Sequence, residues 1–306
     1  MVAAPTAKLG TLGFIGLGQM GRPMASNLLK AAASLVVLSR RQESAVALVE
    51  AGARWASGVE AFAACDYVLL CLPGSAEISD ALFGGAGYRF KPGTTFIDVG
   101  TTSYRDTLAI AAQLNERGHH LVDAPVSGMA ARAASGTLTT MVGGAIPDFE
   151  RVAPVLSLIA STVLHMGPVG NGQLTKLVNQ LLFDINAAAL AEILPMAAKL
   201  GLDPAKVGAV VNSGTGRSYA SECFVPGILK GQFNAGYPMA AAYKDLVAAA
   251  EIAAHARIPL PVLAAATATY QQALLMGHGG DDKGGMIKVF EALLGVSFRE
   301  RKSNER

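Results

Sequence analysis

The sequence is poor in charge and in cysteine. Only 16% of its 306 residues are charged, and the 25 basic and 23 acidic side chains give a net charge of +2 without a long run of either sign. Such a balance gives no reason to expect a nucleic acid or an anionic membrane as partner. The three cysteines, Cys65, Cys71 and Cys223, are too few and too scattered for a disulfide framework or a zinc site. We expect reduced thiols and no bound metal.

Long apolar runs are also absent. The N-terminal stretch 12–17 is interrupted by Gly13 and Gly16 and is followed by Arg22, which is not the pattern of a secretory signal. No uninterrupted apolar run reaches membrane-spanning length. We therefore expect a cytoplasmic protein without a membrane segment. The hydrophobic fraction of 51% suggests a buried interface between subunits.

The chain is long enough for two domains, each with its own core. Between residues 12 and 143, short apolar runs alternate with turn signals and helical stretches, a pattern typical of parallel strands joined by crossover helices. The predicted strands are Thr11–Ile15, Leu35–Leu38, Tyr67–Leu72, Thr95–Asp98, His120–Asp123 and Thr139–Val142.

Helical periodicity, rich in alanine and leucine, replaces this pattern after Met166 and continues to Leu294. It is broken near Gly201, Gly214, Gly236 and Pro259. A glycine- and proline-rich segment, 167–172, leads into a long helix beginning near Gln173, in which Pro195 should cause a kink or start a new helix. The sequence thus predicts an α/β domain with a doubly wound, mostly parallel sheet over residues 1–169. An all-α domain built around the long helix should follow over residues 170–306.

A glycine-rich turn follows the first predicted strand and opens a helix; it reads Gly16-Leu17-Gly18-Gln19-Met20-Gly21. In that context the spacing is the fingerprint of a dinucleotide-binding Rossmann domain. The first glycine permits a tight turn, the second lets the backbone approach a pyrophosphate, and the third lets helix and strand pack closely. The helix N-terminus adds N–H groups and a favourable dipole for that anion.

The end of the second strand distinguishes the two nicotinamide cofactors, because an acidic residue there binds the ribose of NAD and repels a 2′-phosphate. This chain has Ser39-Arg40-Arg41 instead. Two guanidinium groups and a hydroxyl suit a phosphate dianion. NADP(H) is therefore the preferred cofactor, with NAD(H) possible. The alternative is that both arginines are simply solvated at a helix start.

Later strand ends are expected to line the nicotinamide. Leu72-Pro73 and Thr101 lie where ligands bind in an open parallel sheet. Thr101 could equally be the N-cap of the next helix, and the two roles are compatible.

Two further segments carry candidate catalytic groups. Residues 123–128 begin as a strand and end as a turn, where Ser127 and the next backbone N–H could hold a carboxylate or alcohol oxygen. Lys176, Asn179 and Gln180 stand at i, i+3 and i+4 of the long helix. Their flanks are apolar, so this polar face indicates a cleft rather than ordinary surface. A lysine there could exchange a proton with a reacting alcohol once partial burial lowers its pKa.

Five motifs, in this order, resemble the β-hydroxyacid dehydrogenases, the group of 3-hydroxyisobutyrate dehydrogenase, tartronate semialdehyde reductase and the glyoxylate/succinic semialdehyde reductases. The resemblance runs from about Leu12 to Phe298. The motifs are Gly13–Gly21, Asp123–Gly128, Gly136–Gly144, the Lys176 helix and Lys244-Asp245-Leu246.

This resemblance implies roles for individual residues. Lys176 would be the general acid/base, and Ser127 and Gly128 would hold the substrate carboxylate. Lys244, with Asp245, would lie near the nicotinamide or the substrate. Members are commonly dimers or tetramers whose helical domains pack together, so a homodimer or homotetramer is expected.

Three departures from the family pattern bear on the substrate. Met129 stands where a second glycine usually follows Ser-Gly, and Val99-Gly100 replaces two residues of the usual Asp-Met-Ser-Thr. Asn179-Gln180 replaces the common Asn-Asn and resembles the tartronate semialdehyde reductases. We count Met129, Asn179 and Gln180 among the substrate-binding residues.

The sequence as a whole predicts hydride transfer between NADP(H) and a small 3-hydroxy acid or its semialdehyde. Candidates are tartronate semialdehyde (2-hydroxy-3-oxopropionate), 3-hydroxyisobutyrate and compounds like 4-hydroxybutyrate. One alternative is an imine reductase, although in those enzymes the position of Lys176 typically resembles aspartate or tyrosine. The other is a non-catalytic protein that binds NADPH as a sensor or scaffold.

Overall fold

A computed structural model describes residues 10–32, 34–84, 90–234 and 236–300. The ends of the two predicted domains, residues 1–9 and 301–306, lie outside these ranges. The chain divides into two compact units, Met1–Lys176 and Leu177–Arg306. The predicted boundary, between residues 169 and 170, comes a few residues earlier, just before the long helix begins.

The first unit is built on one nine-stranded sheet. Its strands are β1 (Leu12–Ile15), β2 (Leu35–Leu38), β3 (Arg54–Ala56), β4 (Tyr67–Leu70), β5 (Thr95–Asp98), β6 (His120–Asp123), β7 (Val126–Ser127), β8 (Leu138–Gly143) and β9 (Ala160–Gly167). The order across the sheet is β3-β2-β1-β4-β5-β6-β8-β7, with β9 also paired to β8. Strands β1 to β6 are parallel, whereas β8 runs antiparallel to β6 and β7. The predicted doubly wound, mostly parallel sheet is confirmed.

Helices cover both faces of this sheet. They are α1 (Gly21–Ala31), α2 (Val46–Glu50), α3 (Ser75–Phe83), α4 (Tyr104–Asn115), α5 (Met129–Ser135) and α6 (Ile146–Leu156), with 3₁₀ turns at Gln42–Ala45 and Val59–Phe62. Successive strand side chains alternate between two buried clusters, so that Phe14 packs in one and Ile15 in the other. Burial on both faces explains why these strands are continuous apolar runs.

Three strands were missed by the sequence analysis, and two were predicted too long, by one residue at Thr11 and by two after Leu70. β3 and β7 have only three and two residues, and β9 exposes Ser161 and Thr162, so none of them has an apolar run. The predicted strand Tyr67–Leu72 ends at Leu70. Cys71 still donates its backbone N–H to Ile15, but the chain then turns towards α3.

The second unit is helical throughout its described residues. The long helix α7 (Asn171–Lys199) begins in the first unit and continues into the second, and it is followed by α8 (Pro204–Ser213), α9 (Tyr219–Lys230), α10 (Met239–Ala256), α11 (Pro261–Leu275), a 3₁₀ turn at Lys283–Met286 and α12 (Ile287–Leu294). The breaks predicted near Gly201, Gly214, Gly236 and Pro259 all fall between helices. No new helix starts at Pro195, which lies inside α7. The loss of one backbone donor is tolerated there within a long helix, one side of which is buried through Leu194 and Ala197.

By length and composition alone, α7 could cross a membrane, a test that the core helix of a water-soluble protein also passes. The core of the second unit instead packs α7 residues such as Ala187 and Leu194 against Phe224 and Tyr270. Within it Lys283 forms an ion pair with the fully buried Asp184.

Candidate active site

The glycine-rich turn between β1 and α1 has the geometry that its sequence predicts. Gly16 has a φ of 104°, and a Cβ added there would lie 2.1 Å from the carbonyl oxygen of Cys71. A Cβ on Gly21 would lie 1.8 Å from the carbonyl oxygen of Gly16. Both positions therefore require glycine. A Cβ on Gly18 would meet no atom within 4 Å, so this backbone faces open space.

The first turn of α1 suits an anionic ligand. No side chain caps the helix at Met20, and no acidic residue lies in its first turn. Its N–H groups and positive dipole end therefore face no protein carboxylate of that turn. Leu17 is buried beneath the turn, whereas Gln19 is exposed. These features fit the pyrophosphate of a dinucleotide, held by the backbone between Gly16 and Gly21.

Ser39, Arg40 and Arg41 stand directly beside this turn. The backbone N–H of Gly16 donates to the carbonyl of Leu38, the last residue of β2, at 2.9 Å. The Ser39 hydroxyl donates to the carbonyl of Arg41 at 2.8 Å, which shapes the loop. Both arginines are exposed, as a phosphate ligand from solvent would require.

The loops after β4 and β5 lie at the same edge of the sheet. A Cβ on Gly16 would lie 3.2 Å from Leu72 Cδ2, and one on Gly100 would lie 3.1 Å from the Leu72 carbonyl oxygen. Pro73 is exposed and Thr101 is half-buried. Thr101 is not an N-cap: α4 is capped by Ser103, whose hydroxyl accepts from the N–H of Asp106. Only the ligand-facing prediction for Thr101 remains.

The loop after β7 departs from relaxed backbone geometry. Gly128 has a φ of 138° and Met129 a φ of 60°. A left-handed conformation costs a residue with a Cβ roughly 1–2 kcal/mol. The half-buried Ser127 precedes these two residues, and the Met129 side chain is 37% exposed at the start of α5. A methionine thus occupies a position whose backbone favours glycine.

Asp123 fixes the start of α7. This last residue of β6 is fully buried, and its Oδ1 and Oδ2 accept from the backbone N–H groups of Gly170 at 2.7 Å and Gln173 at 2.9 Å. Burial raises its pKa, although these hydrogen bonds act in the opposite direction. A Cβ on Gly172 would lie 2.3 Å from the carbonyl oxygen of Met141, so α7 begins pressed against β6 and β8. The carboxylate also complements the helix dipole.

Gln173 joins α7 to the loop after β5. Its Nε2 donates to Asp98 Oδ2 at 3.2 Å and to the Gly100 carbonyl at 3.1 Å, and its Oε1 accepts from the N–H of Thr102 at 3.1 Å. Asp98 also accepts from the Gly100 N–H and the Thr102 hydroxyl. Burial raises the pKa of Asp98 to about 6, and the negative charge of Asp123 contributes to the rise.

Lys176 follows Gln173 by one helical turn. It is only 8% exposed, and the helix that carries it is attached at Asp123 to the carboxyl end of β6. Because β1 to β6 are parallel, this is the edge at which the glycine-rich turn also lies. The first unit therefore brings together the predicted cofactor residues between Gly16 and Thr101 and the start of the Lys176 helix.

Four of the predicted residues belong to the second unit. Asn179 is exposed and Gln180 half-buried on α7, and on α10 Lys244 is exposed whereas Asp245 is 7% exposed. The polar segment between α8 and α9 provides the N-cap of α9. There the hydroxyls of Ser218 and Ser221 form a reciprocal capping box.

Sequence reasoning missed the network of Asp98, Asp123 and Gln173. The signal was present, since both aspartates end neighbouring apolar strands, where an unpaired carboxylate would be costly. The partner of the two aspartates could not be identified from the sequence, because Gln173 lies 50 or more residues from each of them in the chain.

Comparisons with known proteins agree with this fold. A model of the NAD binding domain of 6-phosphogluconate dehydrogenase matches residues 11–167, and one of the NAD-binding region of NADP-dependent 3-hydroxyisobutyrate dehydrogenase matches residues 170–290. The chain is 38% identical to 2-(hydroxymethyl)glutarate dehydrogenase of Eubacterium barkeri, over 94% of this chain and 96% of that protein. It is 35% identical to L-threonate dehydrogenase of Cupriavidus necator, over 92% and 96%.

A solved structure of 3-hydroxyisobutyrate dehydrogenase from Salmonella typhimurium superposes with a TM-score of 0.84, at 30% identity, over 92% of this chain and all of that one. Fold, glycine-rich turn and relatives together define an NAD(P)-dependent oxidoreductase that acts on CH–OH donors. The chain belongs to the β-hydroxyacid dehydrogenase family.

The pKa of Asp98 predicts a pH dependence of stability that Asp98→Asn removes. The folded protein retains this proton up to about pH 6, whereas the unfolded chain releases it near 3.8. Ionisation of Asp98 therefore lowers the free energy of unfolding as pH rises from about 4 to about 7. The full effect is about 3 kcal/mol, at 1.36 kcal/mol for each tenfold difference in proton affinity. Relative to the wild type, the variant should gain stability over this range in urea unfolding followed by the fluorescence of Trp55, the single tryptophan.

Asp66→Asn is the matched control, because a hydrogen bond from Lys91 lowers the pKa of Asp66. Its carboxylate contributes stability above the unfolded pKa and loses it as pH falls through the folded pKa. The control should therefore have a lower free energy of unfolding than the wild type at neutral pH. This difference in stability should shrink on acidification. Parallel stability curves for Asp98→Asn and the wild type would contradict the assignment.

Proposed function

We propose that this protein catalyses reversible hydride transfer between NADP(H) and a small 3-hydroxy acid or its semialdehyde, with Lys176 as general acid/base. One observation carries the proposal. Lys176 is a buried lysine one turn after Gln173, on a helix attached to the sheet edge where the glycine-rich turn lies. A proton-transferring group is thus held at the edge where ligands of parallel sheets bind.

The bound nicotinamide supplies or accepts the hydride. In the reducing direction the Lys176 ammonium donates a proton to the carbonyl oxygen of the substrate as that oxygen gains negative charge. In the oxidising direction the neutral amine accepts the hydroxyl proton of the substrate.

The remaining predicted residues would bind the substrate. Ser127 and the Gly128 N–H would hold its carboxylate, and Met129 would narrow the pocket beside them. Asn179, Gln180 and Lys244 would provide polar contacts to the substrate, and Lys244 and Asp245 would contact the cofactor. The names of the relatives point to hydroxy acids of different size, so the substrate is proposed as a class.

Neither alternative from the sequence is favoured. An imine reductase would not need a lysine at position 176, and the relatives reported above are named as dehydrogenases of hydroxy acids. A non-catalytic sensor would not need a lysine buried on the helix that is attached to the sheet edge at which the glycine-rich turn lies.

Lys176→Met should lower kcat/KM by about 10² to 10⁴-fold, the usual contribution of general acid/base catalysis. Methionine keeps the length and packing of the side chain but cannot transfer a proton. The assay would use NADPH with glyoxylate and with tartronate, succinic and methylmalonate semialdehydes. The reverse reaction would use NADP⁺ with 3-hydroxyisobutyrate, 2-(hydroxymethyl)glutarate and L-threonate.

Lys206→Met, an exposed lysine on α8, is the control and should retain wild-type turnover. NADPH binding, measured by fluorescence titration, should be similar in both variants and the wild type. Full activity of Lys176→Met on a substrate that the wild type reduces would refute the mechanism.

The preference for NADP(H) is also a proposal. It is supported by the exposed Arg40 and Arg41 beside the glycine-rich turn. Residues 170–290 also match a family model named for NADP-dependent 3-hydroxyisobutyrate dehydrogenase. NAD(H), which lacks the 2′-phosphate, would gain nothing from the arginines.

Replacement of both Arg40 and Arg41 by alanine should raise the Kd for NADPH at least about tenfold, since hydrogen bonds to charged groups contribute about 1.5–3 kcal/mol each. The Kd for NADH should change little, which makes NADH the internal control. Equal weakening of both cofactors in isothermal titration would exclude a 2′-phosphate site here.

A homo-oligomer is proposed from one apolar face of α7. Val178, Leu182, Ile193 and Met196 are each at least 47% exposed and recur at helical spacing along about 27 Å of the helix. An apolar stripe of this length is unusual on a monomer, and a second copy of the chain is its proposed cover.

Leu182→Glu combined with Ile193→Glu should convert the oligomer to single chains, because two charges would be buried unpaired. Light scattering coupled to size exclusion measures the mass. Leu275→Glu, at a residue 89% exposed on α11, should leave the mass unchanged. A monomeric wild type would rule out this interface.

A further inference from the structure

The side-chain amide of Gln173 holds Thr101 from both sides. Its Nε2 donates to the Gly100 carbonyl and its Oε1 accepts from the Thr102 N–H, both at 3.1 Å. These two groups belong to the peptide units before and after Thr101. The amide therefore pairs with the loop as a neighbouring β-strand would, and it restricts φ and ψ of Thr101.

Both N–H donors of this amide and its oxygen are hydrogen-bonded in one orientation. The second N–H of Nε2 donates to Asp98 Oδ2 at 3.2 Å, and the side chain is 3% exposed. Any other rotamer would leave buried donors without a partner, which is costly. Asp98 is itself held by the Gly100 N–H and the Thr102 hydroxyl, so the loop and the amide fix each other.

The same residue begins the helix that carries Lys176. The Gln173 backbone N–H donates to Asp123 Oδ2, and Lys176 lies three residues later, on the same helical face. One residue thus connects the loop of Thr101 with the turn of Lys176. Neither the family models nor the relatives' names assign Gln173 a role.

We propose that Gln173 is a positioning residue, which sets the distance between the Thr101 loop and the Lys176 ammonium by pairing with the backbone on both sides of Thr101. This inference rests on the proposed function, in which Thr101 lines the nicotinamide and Lys176 transfers the proton. Hydride and proton transfer both require alignment of the reacting atoms, and a misplacement of about 1 Å costs on the order of 10²-fold in rate.

Gln173→Met tests this role without removing the helix start. The backbone N–H of residue 173, which donates to Asp123, is present in every variant. Methionine has nearly the length and volume of glutamine. Only the three side-chain hydrogen bonds disappear. Gln113→Met is the matched control, because Gln113 is an exposed residue on α4.

The rate of hydride transfer should be measured in a single turnover with preloaded NADPH and expressed per bound cofactor, so that unfolded protein does not count. Gln173→Met should lower this rate by roughly 10- to 100-fold. The Kd for NADPH should change less than about threefold, and Gln113→Met should match the wild type. An unchanged rate per bound cofactor would overturn the proposal.

A double-mutant cycle with Lys176→Met separates positioning from general weakening. If Gln173 acts by aligning Lys176 with the Thr101 loop, its substitution should cost far less when Lys176 is already methionine. The proposal would also be overturned if the rate loss in the double variant equalled the product of the losses in the two single variants. Wild-type activity of Lys176→Met alone would instead refute the proposed function, so the two failures are distinguishable.

Discussion

The buried carboxylate of Asp123 is the constraint on which the first unit depends. A carboxylate without water must be paired, and the partners here are backbone N–H groups at the start of α7. Gly143 and Gly172 leave room for this approach, since a Cβ on either would lie within 2.4 Å of an oxygen of β6 or β8. The helix therefore begins at one place and at one depth against the sheet.

Other parts of the proposed site inherit their positions from this attachment. The first turn of α7 presents Gln173 to the loop after β5, and that loop passes beside Leu72, which in turn lies against the glycine-rich turn. A short chain of direct contacts thus extends from the Lys176 helix to the cofactor turn. Rigidity of this kind is what an enzyme needs where two atoms must meet within a fraction of an ångström.

Much of the fold was accessible from the sequence because the parallel strands are buried on both faces and read as apolar runs. The glycine-rich turn was equally accessible, since two of its glycines answer a local requirement that the structure contains: positive φ at Gly16 and close packing at Gly21. The strands that escaped detection lie at the irregular edge formed by β7 to β9, or are as short as β3. In these strands the pairing depends on the neighbouring strand with which each forms hydrogen bonds, and not on an apolar pattern in its own sequence.

The details of the site were less accessible for a physical reason. Asp98, Asp123 and Gln173 act through contacts between distant parts of the chain, and a glutamine at a helix start has no signature of its own. Met129 was recognised as a departure from the family pattern, but its left-handed backbone was not predictable, because methionine has no preference for that conformation.

The boundary between the two compact units does not coincide with the boundary between the two family models, and this limits where the chain could recombine with a relative. The family models meet between residues 167 and 170, whereas the compact units meet at Lys176, after the first turn and a half of α7. Recombination at the earlier point would draw Asp98 and Gln173 from different parents, and recombination at the later point would keep them together. The unit that recombination would have to transfer intact is therefore the sheet together with the first residues of α7. Exchange of the helical unit between relatives is constrained by the hydrogen bonds that Gln173 forms with the loop after β5.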